Sequence, residues 1–227
     1  MTRLGHALRY RISSFIRRLG GDSSGLALIE FAYVLPIMVT ISMTGAELTN
    51  YITTKMRVSQ LALQIADNAS RIGTDTVLST KQISEAQIND MLTGAGLQSG
   101  TLDLFAHGRV IVSSLQPVAN PNTTNRFLIE WQRCRGVKAI TSSYGLEGDT
   151  DLDGITANGQ LITAPDNGAV IFVQISYDYQ PIIGLSFTKL TAINEVAAMT
   201  VRDDRDTSTV YNTENVTPST CNTYSAS

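Results

Sequence analysis

The chain is poor in the residues from which most enzymes and metal centres are built. In 227 residues it has two histidines, His6 and His107, and two cysteines, Cys134 and Cys221. No C-x-x-C occurs, so a structural zinc site has no ligand spacing to start from. Neither histidine sits in a local motif with a nucleophile and an acid, which leaves nucleophilic catalysis without a triad and argues against an enzyme. The acids Asp203, Asp204 and Asp206 read as a solvated turn rather than a catalytic cluster. Charge is also sparse, at 16% of residues, against 43% hydrophobic ones. That balance excludes a disordered polypeptide and allows one domain of ordinary size with appended segments.

Such charge as exists is unevenly placed. Residues 1–25 hold five arginines (Arg3, Arg9, Arg11, Arg17, Arg18) and one acid, Asp22, leaving 12 basic and 19 acidic residues beyond them. An acidic body argues against a nucleic-acid surface. A basic head suits an orientation signal, because Lys and Arg beside a membrane span stay cytoplasmic. The head is also a basic amphipathic segment, with Leu8, Ile12, Phe15, Ile16 and Leu19 among its arginines, of the kind that lies on an anionic membrane.

After the polar break from Gly20 to Gly25 comes LALIEFAYVLPIMVTISMTGA, Leu26 to Ala46, 21 residues with one charge, Glu30. As a helix rising ~1.5 Å per residue it spans ~31 Å, about the thickness of a bilayer's hydrocarbon core. Thr40, Ser42 and Thr44 weaken the far end, and Pro36 allows a kink. Beyond it, Tyr51, Val58, Ala62, Ile65, Ala69 and Ile72 form one apolar stripe, predicting an amphipathic stem over 47–72 that stops at Gly73. A second helix is expected over Glu85–Leu92, capped by Ser84 and ended by Gly94.

From residue 101 the hydrophobic period becomes two. Strands are expected at Leu102–Phe105, Arg109–Leu115, Arg126–Arg133, Ala169–Tyr179 and Ala192–Val201, with Phe127, Ile129 and Trp131 on one face of the third. A Gly/Ser/Thr/Asp-rich loop fills 136–168, and the polar tail after Asp203 is expected to be ordered only where Cys221 ties it down. The fold class is therefore α+β: a membrane-spanning helix whose stem packs on an antiparallel sheet. The domains are a leader 1–25, a span 26–46 and a body 47–227. If the body is exported, Cys134 and Cys221 read as one disulfide; two unpaired thiols are the other reading.

The segment Gly25-Leu26-Ala27-Leu28-Ile29-Glu30-Phe31 carries the strongest signal. A glycine precedes an apolar run, with a lone carboxylate five residues on and an aromatic at the sixth. It resembles the processing site of type IVb prepilins of the tight-adherence (Tad, or Flp) system, and its continuation FAYVLPIM resembles the TadE-like pseudopilins. The close resemblance covers residues 24–45. A looser one touches Tyr177-Asp178-Tyr179-Gln180-Pro181 and the stretch from Val201 to Asp206. The resemblance implies a pilin-like fold and cleavage after Gly25 by an inner-membrane prepilin peptidase. It further implies a role in pilus assembly beside other pilus subunits and inner-membrane components, leading to adhesion and biofilm. Major Flp pilins are very short, so a chain of this length looks like the accessory kind. The location implied is a single pass through the bacterial inner membrane, N-terminus cytoplasmic and body periplasmic, with the pilus or cell surface as a destination after processing.

Cleavage would create an α-amine at Leu26, one helical turn from Glu30, able to neutralise that carboxylate in the same chain or a neighbour. Two other readings compete: a secretory signal peptide cut after Thr44-Gly45-Ala46, and an uncleaved single-pass scaffold. One motif stands apart. Asp149-Thr150-Asp151-Leu152-Asp153-Gly154 matches the opening of a calcium loop, but its twelfth position is Gln160 and flanking helices are not expected. An acidic surface loop is the alternative; no other cofactor is expected.

Overall fold

A computed structural model describes residues 24–76, 79–183 and 192–226. The elements run α1 (Ser24–Arg71), β1 (Thr74–Thr76), β2 (Ser79–Gln82), α2 (Glu85–Ser99), a 3-10 turn (Gly100–Leu102) and α3 (Leu104–His107). They continue as β3 (Gly108–Pro117), β4 (Phe127–Arg135), β5 (Ile155–Ala157), β6 (Gln160–Ile162), β7 (Val170–Asp178) and β8 (Ala192–Thr200). The chain divides into two compact units, one up to Thr49 and one from Asn50 onward.

In the first unit the helix runs unbroken through Pro36. Two of the hydroxyls that dilute its apolar text do not need water. Thr40 Oγ1 donates to the Pro36 carbonyl at 2.7 Å, and Thr44 Oγ1 to the Thr40 carbonyl at 2.8 Å. Both threonine side chains are thus satisfied within their own helix, which makes them compatible with an apolar surrounding.

The second unit is α+β. Its sheet is antiparallel with strand order β4-β3-β7-β8. The stem, residues 50–71, buries the expected stripe: Val58, Ala62, Ile65 and Ala69 are buried, with Tyr51 and Ile72 packed at its ends. They meet Ile88 and Leu92 of α2, and Val110, Val112, Ile171, Val173 and Ile175 of the sheet. The opposite face has its own core, where Leu115, Phe127, Ile129, Val170 and Phe172 lie under Ile155, Ala157 and Tyr144. Cover on both faces explains why β7 is buried from Val170 to Tyr177 rather than at alternate residues.

Three expectations change. Trp131 does not share a face with Phe127 and Ile129. The pairing steps from Ser114–Trp131 to Leu115–Ile129, so Glu130 is an extra residue in β4. A bulge of that kind reverses the side-chain phase, and it sends Trp131 to the core beneath the helices. Helix α2 does not stop at Gly94 but continues to Ser99, with Gly100 at φ 52° ending it. Gly96 serves packing instead: a Cβ there would lie 2.9 Å from the Phe105 ring. Finally, Leu102–Phe105 is a 3-10 turn and the start of α3, not a strand. Asp103 at φ 47° turns the chain, and Ser99 Oγ accepts from the Leu104 N–H at 3.2 Å, so no extended run can form.

Candidate processing segment and the tail that closes the domain

Gly25, Leu26, Glu30 and Phe31 all lie in the opening turns of α1. Leu26 and Glu30 are four residues apart and so share one face. A Cβ built on Gly25 meets nothing within 4 Å, so the described fold places no demand for glycine there. Glu30 is exposed and has no side-chain partner among the described residues. Around it, twelve large apolar side chains between Leu26 and Met43 are exposed. Burying such a side chain fully is worth ~1.5–3 kcal/mol, and these are 38–73% exposed, so leaving them in water forgoes on the order of 10–20 kcal/mol. That is comparable with the ~5–15 kcal/mol net stability of an ordinary domain, so apolar surroundings favour this helix. It is the one helix among the described residues long and apolar enough to cross a membrane, and none of its most apolar window is buried.

Cys134 and Cys221 form a disulfide, with Cα atoms 4.7 Å apart. The tail it secures is held along its length, not only at that bond. Lys81 and Arg205 form one bridge between β2 and the tail, and Ser84 and Tyr211 another. The Asp206 N–H donates to the Lys81 carbonyl at 2.8 Å and the Tyr211 N–H to the Ile83 carbonyl at 2.9 Å. Arg205, 6% exposed, donates from Nη1 to the carbonyls of Ala69 and Ile72 at the end of α1. Burial there pushes its pKa down to about 10. Such detail is invisible in a tail whose text is Ser, Thr, Asn and Asp.

Two further buried cations escape the motif search. Arg109, wholly buried in β3, donates to three carbonyls: Gly136 at 3.0 Å, Thr223 at 2.9 Å and Cys221 at 2.8 Å. Its guanidinium carbon lies 4.3 Å from the Tyr224 ring centroid. Desolvation lowers its pKa. Arg133 Nε donates to both Glu85 carboxylate oxygens at 3.0 Å, and its Nη1 to Glu147 at 3.1 Å. Burial opposes that charge, but the two acids outweigh it and raise the Arg133 pKa. The ion pair ties the N-terminus of α2 to β4. One signal could have found Arg109: in β3 it falls in phase with Ile111, Ser113 and Leu115, an interior position for a strand.

The three aspartates of the D-x-D-x-D-G loop divide between two partners. Asp149 Oδ2 accepts from the Leu146 N–H at 2.7 Å. Asp151 pairs with Arg126 Nε at 3.3 Å, and Asp153 with Arg126 Nη1. No group of three acids, histidines or cysteines suited to a metal ion occurs among the described residues. A calcium ion would have to displace Arg126. His107, at the end of α3, stacks edge-on to Tyr177 at 6.4 Å.

Compared with family models, curated proteins and solved structures, the chain has no match.

Proposed function

We propose that this chain is a membrane-anchored, prepilin-like accessory subunit for assembly of a Tad/Flp-type adhesive pilus. The observation that carries the reading is the pairing of an exposed apolar helix with a Gly25-x-x-x-x-Glu30-Phe31 start. The fold makes no use of the glycine and pairs the glutamate with nothing among the described residues. Both residues are therefore left for something beyond the described residues to account for. A peptidase that accepts only glycine before its scissile bond supplies the reason for Gly25. A neighbouring α-amine at Leu26 supplies the reason for Glu30, because a carboxylate in a bilayer needs a partner. The arginines ahead of Gly25 then lie in the cytoplasm, and the disulfide-bonded body in the periplasm, an oxidising compartment.

The test is the N-terminal residue of the protein isolated from its own membrane. A start at Leu26, lost in Gly25→Ala, is the expected result. Retention of Met1 would make it an uncleaved scaffold, and a start at Glu47 a secreted periplasmic protein; either rejects the proposal.

A further inference from the structure

The second unit has two ends, and its strands tell them apart. The stem starts where β7 stops. Asn50 Nδ2 donates to the Tyr179 hydroxyl at 2.7 Å, and the Tyr51 and Tyr179 rings meet edge-on at 5.2 Å. The register sets the starts of β3 and β8 at the same level, with Gly108 and Ile193 opposite Tyr177. Helix α2 ends there too. The Tyr177 hydroxyl donates to the Leu102 carbonyl at 3.0 Å, and Arg57 Nη2 to that of Ser99 at 3.4 Å. This end is the foot of the body. The far end, at the start of β7, carries the loops 118–126, 148–154, 163–169 and 201–206.

Two properties separate the ends. Leu97 and Ile182, 80% and 70% exposed, are the most exposed large apolar side chains of this unit among the described residues, and both lie at the foot. Charge is the second. The four far-end loops hold seven aspartates and three arginines. At the foot Lys138 pairs with Asp178 at 2.6 Å and Lys55 with Glu195 at 3.8 Å. Arg57 and Arg135, set against Asp103, then leave the foot one positive charge in excess.

Exposed apolar side chains taken singly need no explanation. The tether gives these two one. The apolar run ends at Ala46, and Asn50 follows four residues later. At no more than ~3.6 Å per residue, Asn50 stays within ~14 Å of the end of that run, whatever the angle between the two units. The headgroup layer of a bilayer is itself ~5–8 Å deep, so the foot cannot leave its neighbourhood.

We propose that the foot of the body is a lipid-docking surface, and that its partner is the anionic phospholipid bilayer that holds the apolar helix. Leu97 and Ile182 enter the headgroup layer, and the cationic excess meets lipid phosphates. The far-end aspartates are held away from the same surface, so the body stands with its acidic end outward and open to other proteins. The proposal rests on the membrane-anchor part of the proposed function, and not on cleavage after Gly25.

The test uses full-length protein reconstituted in vesicles of phosphatidylcholine and phosphatidylglycerol. The two native cysteines are tied to each other, so an added cysteine is the one free thiol and takes a polarity-sensitive fluorophore alone. Leu97→Cys and Ile182→Cys probe the foot, Val118→Cys an exposed site at the far end, and Val34→Cys the apolar helix. Each is read with lipids that carry a spin-label quencher either near the headgroup or at mid-chain. The labels at the Leu97 and Ile182 positions are expected to emit further to the blue than the label at Val118, and to lose fluorescence to the headgroup quencher while that label keeps its own. The label at Val34 is expected to lose fluorescence to the mid-chain quencher. Should either foot label match the Val118 label while the Val34 label is quenched, the docking surface is overturned and the anchor stands. An unquenched label at Val34 removes the anchor, and the docking surface with it.

Discussion

Arg205, on the tail, donates from Nη1 to the carbonyl of Ile72 at 2.8 Å, one residue past the long helix. The same nitrogen reaches the Ala69 carbonyl at 3.1 Å, and Lys81 Nζ reaches the Arg71 carbonyl at 2.7 Å. Two of the last helical carbonyls, those of Ala69 and Arg71, and the Ile72 carbonyl just beyond are therefore met by cations, where the helix dipole also favours positive charge. Burial of Arg205 opposes this, but its charge stays in place at neutral pH with a pKa near 10. Hydrogen bonds to a charged group contribute about 1.5–3 kcal/mol, so Arg205→Ala should destabilise the domain by about 2–3 kcal/mol. A urea melt of the detergent-solubilised protein measures it. An unchanged midpoint would mean that water serves those carbonyls equally well.

Asp206 gives the same region a dependence on acid. The Ser208 hydroxyl, then the Tyr211 hydroxyl, then the Ser208 N–H donate to its carboxylate and hold its pKa below the ordinary aspartate range. A carboxylate with a lowered folded pKa adds stability that is complete above its unfolded value. That stability is lost as pH falls through the folded one. Thermal melts from about pH 6 down to about pH 3 should therefore show a loss that Asp206→Asn removes from the profile, leaving a protein already weaker at neutral pH. Parallel profiles for the two proteins would clear Asp206 of the effect.

What the sequence made legible follows from periodicity. The stem stripe from Tyr51 to Ile72 is set by side-chain phase over a long run and packed as read; β7 was found by its apolar period of two, although both of its faces are covered. Trp131 was misplaced because one residue, Glu130, slips the phase of β4, and a single bulge leaves no trace in hydropathy. Gly94 looked like a helix stop, yet the helix runs past it to Ser99, and Gly96 within it serves close approach to Phe105. The tail was unreadable for a different reason. It is held by its main-chain groups, by Arg109 and Lys81, which are remote in sequence, and by its own Arg205 reaching the end of α1, so its composition says nothing of order. The pairing of Cys134 with Cys221 needed only an even count and an oxidising compartment, whereas the course of the tail between its anchors needed coordinates.

The disulfide joins residues 87 apart in sequence. Chain-entropy reasoning puts the stabilisation from so long a loop at an upper end of ~4–5 kcal/mol, and strain or residual structure in the unfolded chain lowers it. Cys134→Ser and Cys221→Ser should each cost about 2–4 kcal/mol, and the double variant no more than either single one, since all remove the same bond. Denaturant melts under oxidising conditions would show it. Additive losses would mean that the cysteines act separately, and that the link is absent from the purified protein.

Glu30 tests the proposed function where stability and assembly make opposite demands. A carboxylate at the centre of a bilayer costs roughly 2.5–3.5 kcal/mol, less near the interface, and helix α1 offers Glu30 no partner among the described residues. By that reckoning Glu30→Ala improves the helix as a membrane anchor, and a protein needing only an anchor has every reason to lose the acid. Cleavage after Gly25 depends on the residues at the scissile bond, which Glu30→Ala leaves alone. Lifting the subunit from lipid is another matter. Neighbouring apolar helices must then replace the lipid around Phe31, Val34, Leu35 and Ile37, all exposed in this structure. A carboxylate paired with the next subunit's Leu26 amine fixes how far one helix slides along another. Glu30→Ala should therefore be inserted and cleaved at wild-type level yet fail to restore pili to a deletion strain, while Gly25→Ala should fail at cleavage itself. Mass spectrometry of the mature N-terminus and electron microscopy of surface filaments separate the two defects. Pili at wild-type abundance on cells carrying only Glu30→Ala would strip the glutamate of its role in register and leave the anchor as the sole use of the helix.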